Sequence, residues 1–159
     1  MNANFVCGRM ILAFATVVLC SRVAAEPVTV SVNGTFVETV VAVALAGPHQ
    51  LKVHAKDMVA GDLEGTGQLH IYSTEIVDPV LPHVANVLST RRINTSEGTL
   101  FLAEVGERIG DDVSVISNVA GGTGRFKNAT GQLILTGLHA PDGGVTIDFT
   151  YTGTIVLWL

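Results

Sequence analysis

The chain has 159 residues, is 48% hydrophobic and only 14% charged, and carries a net charge of −5. All fourteen carboxylates follow residue 25, against seven Lys and Arg, so the remainder of the chain carries −7. With no basic run beyond Arg91-Arg92, the sequence offers no positive footprint of the kind a nucleic-acid or anionic-membrane partner requires.

The first 25 residues read as a secretory signal peptide. Arg9 precedes the apolar run Met10–Cys20, and Val23 and Ala25 occupy the small-residue cleavage positions. The run is well short of the roughly 20 residues that a spanning helix needs. Bulky Leu19 before Cys20 argues against lipid attachment. The expectation is a secreted or periplasmic protein whose single domain spans 26–159. Cys7 and Cys20 both fall in the leader, so that domain holds together without disulfides.

Period-2 alternation dominates the domain. Candidate strands are Val28–Val32, Thr35–Val43, Gln50–Asp57, Gly67–Ile76, Val87–Ile93, Thr99–Arg108, Val113–Val119, Gly131–His139 and Val145–Leu157. The last is the clearest. One face reads Val145, Ile147, Phe149, Tyr151, Gly153, Ile155 and Leu157, and the other carries Thr146, Asp148, Thr150, Thr152 and Thr154. Turn chemistry separates the runs at Asn33-Gly34, Ala46-Gly-Pro48, Gly61-Asp62, Ser96-Glu-Gly98, Gly110-Asp-Asp112 and Pro141-Asp-Gly-Gly144. Such a series without a long amphipathic helix predicts one antiparallel barrel or sandwich, and full closure removes the exposed edges that invite aggregation. One segment departs from the pattern. Apolar residues at 80, 81, 84, 87 and 88, with Asp78 as cap and Pro79 in the first turn, predict a short helix or structured loop over Pro79–Asn86. It would be a packed connection or a lid over the barrel mouth.

The stretch GGTGRFKNATGQLILTG, residues 121–137, is rich enough in glycine to raise the question of a phosphate loop. It lacks the Gly-Lys-Ser/Thr ending that such a loop needs, and the residues after Thr130 read as a strand rather than a helix. A turn fits better. Gly121, Gly122 and Gly124 permit close approach of chain segments, and Phe126 is placed to plug the core. Arg125–Thr130 is the length of one helical turn, and Gly131 opens a strand alternating Leu133 and Leu135 against Gln132, Ile134 and Thr136.

This stretch resembles the C-terminal half of the allene oxide cyclase-like and dirigent-like barrels. The strand before it and the closing YTGTI at Tyr151–Ile155 belong to the same resemblance. GTGQLHIYSTEI at Gly65–Ile76 and GTLFLAEVG at Gly98–Gly106 are similar in placement to earlier strands of exported bacterial members. The resemblance covers roughly residues 60–156. It implies an all-β fold, a single antiparallel eight-stranded β-barrel with a central apolar cavity, often trimeric. It also implies cyclisation or coupling of a reactive organic intermediate without a cofactor. No catalytic position of the plant enzymes can be matched onto this chain, and a fold does not carry a function with it.

Candidate site residues are few. Gln68, His70 and Tyr72 share one strand face opposite Leu69 and Ile71. That face is expected to meet water, and inward it would supply a proton-exchanging imidazole and a phenol donor. Glu104, between Leu102 and Val105, is expected to point outward and pair with a neighbouring strand. Inward, a carboxylate in a dry cavity holds its proton more tightly and can act as acid or base. Arg108, four residues on, is a candidate ligand contact, and Asp148 is expected to be exposed. His49, His54, His70, His83 and His139 show no metal-binding spacing, and His54 lies with Gln50, Lys52 and Lys56 on a solvated face. No metal and no cofactor are expected. Three functions fit: binding of a small apolar molecule in the barrel, a cofactorless cyclase or isomerase, or a structural protein with a filled core.

Overall fold

The computed structural model describes residues 25–48, 50–76, 84–139 and 145–159. The expected leader up to residue 24 and the turn at 141–144 lie outside the described residues, as do 79–83 of the anticipated helix.

Eight strands form a closed barrel in which each pairs with its sequence neighbours and the last returns to the first. They are β1 (Pro27–Gly47), β2 (Gln50–Gly61), β3 (Gly65–Ile76), β4 (Val84–Thr95), β5 (Gly98–Ile109), β6 (Asp112–Gly122), β7 (Thr130–His139) and β8 (Thr146–Trp158). All pairings are antiparallel. The one helical element among the described residues is a 3-10 turn at Gly124–Phe126.

Two expectations are corrected. The nine runs become eight strands because Val28–Val32 and Thr35–Val43 are one continuous β1 of 21 residues. Asn33-Gly34 does not turn. Asn33 pairs with Thr152 and Gly34 with Tyr151. A Cβ on Gly34 would collide with the Ala60 carbonyl oxygen and the Tyr151 ring, so this glycine serves close packing inside a strand. The anticipated helix fails at its described end, because Val84, Ala85 and Asn86 pair with Ile109, Arg108 and Glu107 as the start of β4. Cross-strand pairing outweighs the local apolar spacing there.

The barrel is solid at one end and hollow at the other. Phe36, Ile93, Leu100, Leu102, Leu133, Leu135, Ile155 and Leu157 fill the solid end and are all but inaccessible. Two connections close that end. Leu63 in the β2–β3 turn is buried, and its N–H donates to the Tyr151 hydroxyl at 2.9 Å. The Tyr151 hydroxyl in turn donates to the Ala60 carbonyl at 3.3 Å. Phe126 and Ala129, in the β6–β7 connection, are buried beneath the glycine-rich turn. Gly124 adopts φ 57° against the Glu97 carbonyl, a conformation and approach that suit glycine alone. Arg125 pins the turn through an ion pair to Glu97 at 2.6 Å. Phe126 is therefore the plug that the sequence suggests.

Candidate functional site

Toward the opposite end, where β1 turns into β2 and β5 into β6, the barrel holds a cavity of about 290 Å³ lined mostly by Val, Ile, Leu and Ala. Its walls are apolar, with Val43 and Leu51 beside the β1–β2 turn, Ile71 on β3, Val87 on β4 and Val113 on β6. Its floor is charged. Arg91 of β4, 2% exposed, stands between the cavity and the solid core. Its guanidinium carbon lies 5.0 Å from the centroid of Phe36 and 5.9 Å from that of Phe149, distances at which a ring attracts a cation.

Three carboxylates from three other strands converge on this one cation. Nε of Arg91 donates to Glu104 Oε1 at 2.9 Å, and Nη2 donates to Glu38 Oε2 at 3.0 Å. Nη1 meets Asp57 Oδ2 at 2.8 Å, but obliquely, so neither Asp57 oxygen receives a directed hydrogen bond among the described residues. Glu104 is the best held of the three. Ser117 Oγ donates to its Oε1 and Ser89 Oγ to its Oε2, both at 2.8 Å. Glu38, Glu104 and Arg91 line the cavity floor, whereas Asp57 does not.

One guanidinium cannot neutralise three carboxylates. Burial, opposed by Arg91 and reinforced by Asp57 and Glu104, pushes the Glu38 carboxyl up to about 7. Burial likewise raises Asp57, against the pull of Arg91. For Arg91 itself burial opposes the charge, but Glu104, Asp57 and Glu38 together outweigh it and hold the guanidinium protonated more firmly than usual. A neutral Glu38 is a carboxylic acid that can donate a proton or a hydrogen bond into the cavity.

At the mouth the cavity meets Arg108 of β5 and His139 of β7. Arg108 Nε donates to the Gly110 carbonyl at 2.8 Å. His139 is half-buried and its imidazole is held below the ordinary 6.5, by desolvation first and by Arg108 second, with Asp111 pulling the other way.

The structure sorts the sequence candidates. Glu104 points inward, which corrects the expectation of an outward, surface-paired carboxylate; its parity is that of Leu100 and Leu102, both buried. Arg108 reaches the cavity. Gln68, His70 and Tyr72 do not. They lie on the barrel exterior, because Leu69 and Ile71 take the inward positions of β3. Tyr72 is 62% exposed, and His70 packs edge-on against His54 of β2 with ring centroids 4.6 Å apart. His54 and Asp148 are exposed as expected. His49 and His83 lie outside the described residues. Sequence reasoning missed Arg91, Glu38, Asp57 and His139. Three of these were marked by parity: Glu38 shares a face with Phe36, Asp57 with Val53, Ala55 and Val59, and Arg91 with Ile93.

These features define a class: a closed eight-stranded antiparallel barrel, plugged at one end, with an apolar cavity floored by buried charge. Among solved structures the chain is similar to a pterocarpan synthase dirigent protein. The TM-score is 0.56 at 12% identity, over 85% of this chain and 93% of that one. The fold is therefore dirigent-like, and at that identity the likeness speaks for the fold alone. No family model matches the chain, and no curated protein matches it.

Proposed function

We propose that this protein binds a small, predominantly apolar organic molecule inside the barrel. The observation that carries the reading is the 290 Å³ apolar cavity in a barrel otherwise packed solid. Burying apolar ligand surface there contributes about 25 cal/mol per Å² before ordering costs. A structural protein with a filled core has no need of such a void. The test is ligand-observed NMR with octanol, octanoate and octylamine on the purified domain. At least one probe should bind to the parent. Binding should vanish in Val53→Phe, which extends a ring from the cavity wall into the void, while the far-ultraviolet circular dichroism stays unchanged. If no probe binds to the parent, the reading fails.

A second reading, cofactorless isomerisation or cyclisation, is favoured by Glu38 on the cavity floor. Its carboxyl is poised near 7, where a group exchanges protons readily in both directions. Glu38 is a better acid–base candidate than Glu104, whose oxygens are tied down by Arg91, Ser89 and Ser117. The expected signature is deuterium exchange from solvent into the carbon next to the carbonyl of a bound methyl alkyl ketone. That exchange should be lost in Glu38→Gln, and equal exchange in the variant removes Glu38 from any such chemistry.

Export to a secreted or periplasmic location rests on the leader-like first 25 residues. Self-association, implied by the resemblance to trimeric barrels, would use an outward apolar row in which Leu88, Val105, Ile116 and Ile134 are successive register partners across β4 to β7. All four are about half exposed.

A further inference from the structure

The two ends of the cavity differ in charge, and the difference selects a ligand. On the floor, each nitrogen of the Arg91 guanidinium already faces a carboxylate, and negative groups outnumber the cation. An anionic ligand group finds no unpaired cation there, and the ionised carboxylates repel it.

At the mouth the balance reverses. Arg108 lines the cavity and is steered by the Gly110 carbonyl. The only carboxylate within ion-pair reach of it among the described residues is Asp111, 4.0 Å away with its side chain 78% exposed. Its Nη nitrogens make no hydrogen bond among the described residues. His139 lines the same mouth, and its Nδ1 is buried with no hydrogen-bond partner among the described residues. A buried polar atom left unpaired in a native structure calls for a partner. Here it borders the cavity beside an under-used guanidinium.

We propose that the mouth is an anion subsite and that the ligand is a small organic acid. Its apolar body enters first and its acid group is held between Arg108 and His139. This rests on the reading of the cavity as a binding site. At roughly 30 Å³ for each small group, a cavity of about 290 Å³ takes a body on the order of ten non-hydrogen atoms. Charge-assisted hydrogen bonds from Arg are bidentate with carboxylates, so the acid group fixes the orientation of the ligand.

The test compares octanoate, octanol and octylamine, which share one apolar body and differ in the head. Isothermal titration of the parent should rank octanoate first, by roughly ten- to a hundredfold over octanol, the range expected for a charge-assisted hydrogen bond. Arg108→Gln should bring octanoate down to the octanol level. The His139 ring resonances should move on adding octanoate and not on adding octanol. Octanol binding as tightly as octanoate, or octanoate binding unchanged in Arg108→Gln, overturns the subsite while leaving cavity binding intact. Octylamine binding tightest overturns it too and assigns the head to the floor carboxylates. Binding of none of the three overturns this proposal together with the reading beneath it. Should Arg108→Gln fail to fold, the ranking on the parent and the His139 resonances decide without it.

Discussion

Glu38→Gln is the most informative single substitution, because it tests the charge balance of the cavity floor through stability alone. Folding moves the Glu38 carboxyl from 4.5 to about 7, so between those values the native state holds a proton that the unfolded chain has released. Stability must then fall as pH rises through this window. The group's contribution is intact below about 4.5 and fully lost above about 7. At about 1.4 kcal/mol for each tenfold change in proton affinity, the loss amounts to about 3 kcal/mol. This is opposite in sign to the usual salt-bridged carboxylate, which stabilises as pH rises. Asp57, also raised, adds a slope of the same sign starting at lower pH. His139, held low, contributes the opposite sign just below 6.5. Subtracting variant from parent removes the His139 contribution and leaves that of Glu38 together with its coupling to Asp57. The assay is urea unfolding of each protein at a series of pH values from about 4.5 to about 8. The parent should lose about 3 kcal/mol more than Glu38→Gln over that range, and above about pH 7 the variant should be the more stable of the two. Parallel profiles would mean that Glu38 ionises in the barrel as it does in water, and that the floor carries no excess of buried negative charge.

Three further outcomes are expected. Arg91→Met strands three buried carboxylates and should destabilise the barrel by about 3–5 kcal/mol near pH 8; chemical denaturation should show a smaller loss near pH 5, where the carboxylates take up protons. Tyr151→Phe leaves the Leu63 N–H buried without its acceptor and should cost about 2 kcal/mol, with faster hydrogen exchange at the Leu63 amide as the local readout. Ile116→Glu places a charge in the middle of the outward apolar row and should shift any self-associated species toward monomer in sedimentation velocity; an unchanged distribution would place the contact elsewhere.

The barrel was legible because it is built from the simplest code a chain can carry, alternation. Ile147, Phe149, Tyr151, Ile155 and Leu157 all face inward, as the β8 alternation requires. The site was much less legible. Its charged members come from four strands, β1, β2, β4 and β5, and only the ring closure brings Glu38 and Asp57 within reach of Arg91 and Glu104. Taken singly, a carboxylate or an arginine in a strand is normally assigned to solvent, which is how Glu104 was misplaced. The fold itself was misread at Asn33-Gly34. As a dipeptide it reads as a turn, and only the ring of Tyr151 pressing on Gly34 shows why a strand continues through it. The signal that was available is parity: a charged residue at an apolar position of its strand points into the barrel, and Glu38, Asp57, Arg91 and Glu104 meet there.

The pairing pattern also bears on how the molecule is made. Seven of the eight seams join strands adjacent in sequence and form as local hairpins. The eighth, β1 with β8, joins Pro27 to Trp158 and Thr39 to Thr146, positions far apart along the chain. Until that seam zips, the chain is an open curl with two unsatisfied edges, and its cavity has no wall on one side. The cavity wall and the protection of both edges therefore depend on the same seam. Long-range closure of this kind is slow. Because the two edges end side by side, joining them by a short linker and reopening the ring at the Gly110 turn should make β1–β8 a hairpin and hand the long-range closure to β5–β6, leaving the folding rate of the same order.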